Sequence, residues 1–104
     1  MKLAFSNTLA LAAITKTDIL RIGAPIDRNW TILELRANSD NPNPCLAEVT
    51  VNGRVIFLSD GSQYNNPQVL PQPVEPGANI LVSITPRNAG AGVYSATLII
   101  NEYV

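Results

Sequence analysis

Asn52-Gly53 stands between two runs of alternating character, and that juncture constrains the fold more than any other feature of the chain. Both residues tolerate positive φ, and a type I′ turn built from them matches the natural twist of two antiparallel strands. Before the turn, residues 45–51 alternate, with Cys45, Ala47, Val49 and Val51 on one side. After it, Arg54-Val55-Ile56-Phe57-Leu58 runs back. A β-hairpin is predicted, and a hairpin with one apolar face is marginal until further strands cover it.

The rest of the chain supplies them. Proline and glycine punctuate it, and short runs rich in β-branched residues lie between. Residues 8–15 read as a strand with Leu9, Leu11 and Ala13 on one face, although their alanine content also permits a helix. Residues 18–22 form a second short strand, closed by Gly23-Ala24-Pro25. Residues 30–37 alternate, with Leu33, Leu35 and Ala37 expected inward and Glu34 and Arg36 outward. Residues 38–44 read as a loop, because Pro42 and Pro44 cannot donate to a ladder. Residues 59–76 read as a long irregular loop with at most a brief edge strand at Val69-Leu70, and loops of that length are often functional. Residues 79–85 place Ile80, Val82 and Ile84 inward. The last strand, 93–103, buries Tyr94, Ala96, Leu98 and Ile100, and leaves Ile99 and Tyr103 outside unless a bulge separates them. Seven or eight short strands at this spacing predict an all-β antiparallel sandwich of jelly-roll type. No helix-length segment carries a helical apolar period.

At 104 residues the chain supports one core, so a single domain over 1–104 is expected. The opening Met1-Lys2-Leu3-Ala4-Phe5 and the later Leu9 to Ala13 superficially resemble a secretory signal, but Ser6-Asn7-Thr8 interrupts the apolar stretch. Residues 1–8 are therefore expected as part of the fold or as an N-terminal arm. No apolar run is long enough to span a bilayer as a helix, and no membrane partner is expected.

Only 14% of the residues are charged, against about 25% in an ordinary soluble domain. Asn, Ser, Thr and Gln stand where charges would be. Charge depletion of this kind suits a surface that faces another protein. The seven cationic residues are scattered singly, and the net charge is −1, so no phosphate-binding patch and no nucleic-acid partner are expected.

Catalytic chemistry is poorly provided for. The chain has no histidine, hence no triad base and no common metal ligand. Cys45 is the only cysteine, expected to pack as a small apolar side chain. Glu34 and Glu48 lie mid-strand on polar faces and are the two acids a small hydrolase would have to pair; solvated positions or ion pairs with Arg36 or Arg54 explain them as well. Asp40-Asn41-Pro42-Asn43 and Asp60-Gly61-Ser62 offer loop oxygens to a hard cation, but without the ligand spacing of a calcium loop. No enzyme, cofactor or metal is expected.

Three features together resemble the small β-sandwich proteins that decorate or cement bacteriophage capsids: the apolar segment 1–13, the Asn52-Gly53 hairpin, and Pro76-Gly77-Ala78-Asn79-Ile80-Leu81-Val82-Ser83-Ile84 leading into a terminal strand. The resemblance implies a virion location and copies on symmetry axes, often as trimers. It also implies two kinds of partner, further copies of the chain and a larger shell protein. It carries over no individual residue. If the chain is such an assembly protein, Leu3 and Phe5 in the N-terminal segment, Tyr64 in the long loop, and Ile99 and Tyr103 on the last strand are the expected contact residues. The alternative is a carbohydrate-binding or adhesion module, in which Trp30 and Tyr64 stack on sugar rings.

Overall fold

The computed structural model describes residues 1–39, 45–61, 68–87 and 91–103. Eight strands follow one another in the order β1 Lys2–Leu11, β2 Thr17–Gly23, β3 Asn29–Ser39, β4 Cys45–Val51, β5 Arg54–Gly61, β6 Gln68–Val74, β7 Asn79–Pro86 and β8 Gly92–Tyr103. They form two four-stranded sheets, ordered β1-β8-β3-β6 and β2-β7-β4-β5. Every pairing is antiparallel. Consecutive strands therefore tend to cross between the sheets, which is the jelly-roll arrangement.

Alternation builds the core. Ile100, Leu98, Ala96 and Tyr94 of β8 meet Ile80, Val82 and Ile84 of β7 and Cys45, Ala47 and Val49 of β4, all buried. Cys45 is among them, fully enclosed. The predicted hairpin is present: Asn52 has φ 51° and Gly53 φ 80°. Its tip is tied to β7 twice, since the Asn52 N–H donates to the Asn79 carbonyl at 2.8 Å and the Asn79 N–H donates to Asn52 Oδ1 at 2.9 Å.

Three expectations need correction. In β3, Ile32 pairs with Ile100 and Glu34 with Ile99, so Leu33 is an extra residue in a bulge. The bulge turns Leu33 outward and gives the core position to Ile32, while Leu35 and Ala37 stay inside. Second, residues 68–74 are not loop. They form β6, an edge strand that accommodates Pro71 and Pro73 because their missing donors fall on its free side. Third, the first strand begins at Lys2 and ends at Leu11, earlier at both ends than the alternation over 8–15 suggests. Residues 2–8 lie in this strand, paired with β8, and the Met1 carbonyl accepts from the Glu102 N–H at 2.7 Å. Of the segment 38–44 read as a loop, Asn38 and Ser39 belong to β3 and residues 40–44, Asp40 among them, lie outside the described residues, as does Ser62; Asp60 and Gly61 belong to β5.

Candidate functional site

The two outer faces of the sandwich differ in kind. On the β2-β7-β4-β5 sheet, Asp18 accepts from Ser83 Oγ at 2.9 Å and pairs with Arg21 at 2.7 Å, and Lys16 pairs with Glu48. That ion pair serves Glu48 Oε2, a buried oxygen with no other hydrogen bond among the described residues. This face is ionic, and its charges are largely answered within the chain.

The outer face of the β1-β8-β3-β6 sheet is built otherwise. Its register sets Ala4 beside Ile99 and Glu34, Ser6 beside Thr97 and Arg36, Thr8 beside Ser95 and Asn38, and Ala10 beside Val93. Among the described residues, Lys2, Glu34 and Arg36 are its charged side chains, and Glu34 and Arg36 pair with each other at 3.0 Å. Hydroxyls and amides make up much of the remainder. Ser6 Oγ and Thr97 Oγ1 share a hydrogen bond at 2.8 Å, Ser95 Oγ donates to Asn38 Oδ1, and Thr31 Oγ1 bonds to the Tyr103 hydroxyl. Small side chains on a regular sheet make a level, weakly ionised surface, with Leu33, Ile99 and Pro71 in a shallow hollow beside Lys2 and Glu34. A partner covering this face desolvates few charges, and desolvating unpaired charge is the largest penalty of burying a polar surface.

The expected contact residues divide. Ile99 and Tyr103 lie on this outer face, Ile99 half-buried and Tyr103 46% exposed. Leu3 and Phe5 do not reach outward as an arm would. They point inward along β1 and pack, half-covered, against the rim of the core. Tyr64 lies outside the described residues.

Trp30 is only 6% exposed. Phe5 packs against it with ring centroids 5.7 Å apart, and its Nε1 donates to Glu102 Oε1 at 3.0 Å. Arg28 reaches the other oxygen of Glu102 at 3.5 Å. An indole enclosed and satisfied in this way has no free face for a sugar, so the stacking role expected of Trp30 is withdrawn. Aromatic type at the head of a strand signals Trp30 as a plug, but its partner Glu102 becomes visible only when β3 and β8 are paired.

Glu34 and Glu48 do not meet. They stand on different sheets, each facing away from the core, so they share no cleft. At the hairpin end, a hollow lined in part by Arg21, Gly23, Asn52, Gly53 and Asn79 holds, among the described residues, no carboxylate and no aromatic ring. Among the described residues no group of three or more His, Cys, Asp or Glu is placed to hold a metal ion.

No protein-family model matches this sequence, and no curated protein matches it significantly. Solved structures do resemble it. A carbohydrate-binding module, CBM36, solved in complex with calcium and xylotriose, superposes with a TM-score of 0.51 at 10% identity over 99% of both chains. A chain in the structure of infectious bursal disease virus, Gt strain, superposes with a TM-score of 0.50 at 10% identity. That match covers 95% of this chain and 31% of the viral one, so this chain spans about a third of its viral neighbour. Identity this low shows a shared fold and nothing finer.

Proposed function

We propose that this protein is a non-enzymatic structural subunit, a virion component that decorates or cements a capsid by binding neighbouring subunits. The observation that carries the reading is the outer face of the β1-β8-β3-β6 sheet, where, among the described residues, level rows of Ala, Ser, Thr and Asn hold only Lys2 and the self-neutralised Glu34–Arg36 pair as charge. Such a face buries cheaply against protein, and symmetry multiplies many small contacts into a firm attachment. Ile99 and Tyr103 lie where that contact forms. The carbohydrate reading keeps the support of its fold neighbour but loses Trp30 as an anchor.

The test is co-sedimentation with capsids lacking the protein, using the wild-type chain and Thr97→Glu. Thr97 is centred on the face between Ser6 and Arg36, so an added carboxylate is buried by any partner seated there. The expected result is binding by the wild type and about tenfold or greater loss in the variant, with an unchanged melting curve. Equal binding by both removes the face from the interaction. Failure of the wild type to bind shells, together with hits on a glycan array, replaces the reading with the carbohydrate one.

A further inference from the structure

Each sheet of this sandwich ends in two edge strands, and three of the four edges are guarded. On β6, Pro71 and Pro73 remove two donors from the free side. β2 is interrupted by a register shift between Asp18 and Leu20, and β5 lies across the shift between Val49 and Thr50. Prolines and bulges are the usual devices that stop edge-to-edge pairing. β1 has none of them. It runs ten residues, Lys2–Leu11, in unbroken register with β8, without proline or glycine, and with Lys2 as its one charge.

The strand is also left incomplete on its apolar side. Leu3, Phe5, Leu9 and Leu11 pack against the core but are only half-buried, whereas Leu98 and Ile100 on the adjoining strand are fully enclosed. A further strand laid along β1 would pair the free backbone groups and cover this apolar flank together.

We infer that β1 pairs antiparallel with β1 of a second copy of the chain, joining two four-stranded sheets into one continuous sheet across a two-fold axis at Asn7. The sequence of the strand is self-complementary in that register. On the core side Leu3 falls opposite the partner's Leu11, Phe5 opposite the partner's Leu9, and Asn7 opposite its own copy. On the outer side Ala4 falls opposite Ala10, and Ser6 opposite Thr8. Apolar residues meet apolar ones, small meet small, and Lys2 falls beyond the end of the partner strand, so no like charges face each other. A two-fold axis demands this property of a surface that binds itself. The pairing deepens the assembly reading by naming how two copies join.

Sedimentation velocity on the full chain tests it. The wild type is expected to be a dimer. Ala4→Lys with Ala10→Lys sets two pairs of like charges across the junction and is expected to weaken the dimer about tenfold. Ala4→Lys with Ala10→Glu sets opposite charges there and is expected to keep the dimer. Both alanines are exposed, so neither double variant disturbs the core. A wild type that is monomeric at every concentration, or a dimer that responds alike to both variants, overturns the inference. Amide exchange on the wild type gives a readout independent of any variant: protection at successive β1 amides supports the pairing, and strict alternation of fast and slow amides along Lys2–Leu11 refutes it. Shell binding by a monomer would sink the pairing and spare the assembly reading; a dimer that binds no shell would do the reverse.

Discussion

Tyr94→Phe is expected to stabilise this protein. Tyr94 is fully enclosed, facing Leu9 on one neighbouring strand and Ser39 on the other, and its hydroxyl has no hydrogen-bond partner among the described residues. A buried hydroxyl without a partner forfeits its bonds to water, a penalty of about 1–3 kcal/mol. Phenylalanine keeps the ring and all its packing and removes only that oxygen. The vacated space is about one heavy atom, which returns a fraction of the gain through lost dispersion contacts. The net expectation is about 1 kcal/mol in favour of the variant, or roughly 4–8 °C in melting temperature for a domain of this size. Urea denaturation should show a higher midpoint with an unchanged slope, because the surface exposed on unfolding is the same. Tyr94→Ala supplies the contrast, at a loss of about 3–5 kcal/mol for removing a large core ring. A Tyr94→Phe variant destabilised by about 1 kcal/mol or more would show that the hydroxyl is bonded, and the argument from its isolation would fall.

Further expectations concern the turn and the tryptophan plug. Gly53→Ala forces a Cβ into φ 80° where space is open, so backbone strain alone should cost about 1–2 kcal/mol, read by thermal melting. Glu102→Ala leaves the buried Trp30 Nε1 without an acceptor and should cost about 1–3 kcal/mol. Glu102→Gln keeps an acceptor and loses only the long, 3.5 Å pairing with the half-exposed Arg28, so it should cost less than about 1 kcal/mol; equal losses in the two variants would show that the hydrogen bond carries little.

Much of the fold was legible wherever alternation was local. The hairpin around Asn52-Gly53, the inward set on β7 and that on β8 all follow from period-two patterning and turn chemistry. What escaped depends on neighbours distant in sequence. The Leu33 bulge is a property of β3 against β8, so the exchange of Ile32 for Leu33 in the core leaves no mark on a single strand. β6 was concealed by Pro71 and Pro73, which exclude a central strand but are welcome on an edge. β1 was obscured by Asn7, a polar residue in an apolar row, whose Nδ2 donates to the Ile19 carbonyl at 2.9 Å and so ties the edges of the two sheets together. The weak ionisation visible in the composition is concentrated on one face, and only the pairing of strands reveals which.

The union of β1 with β8 also governs how the molecule comes into being on a ribosome. Within the chain β1 pairs with β8, the last of the eight strands, so the sheet they share stays open until β8 has emerged from the ribosome. At about 5–20 residues per second, β1 waits several seconds or more for that partner. The hairpin of β4 and β5 has no such delay, and it is the natural nucleus on which the later, long-range pairings condense.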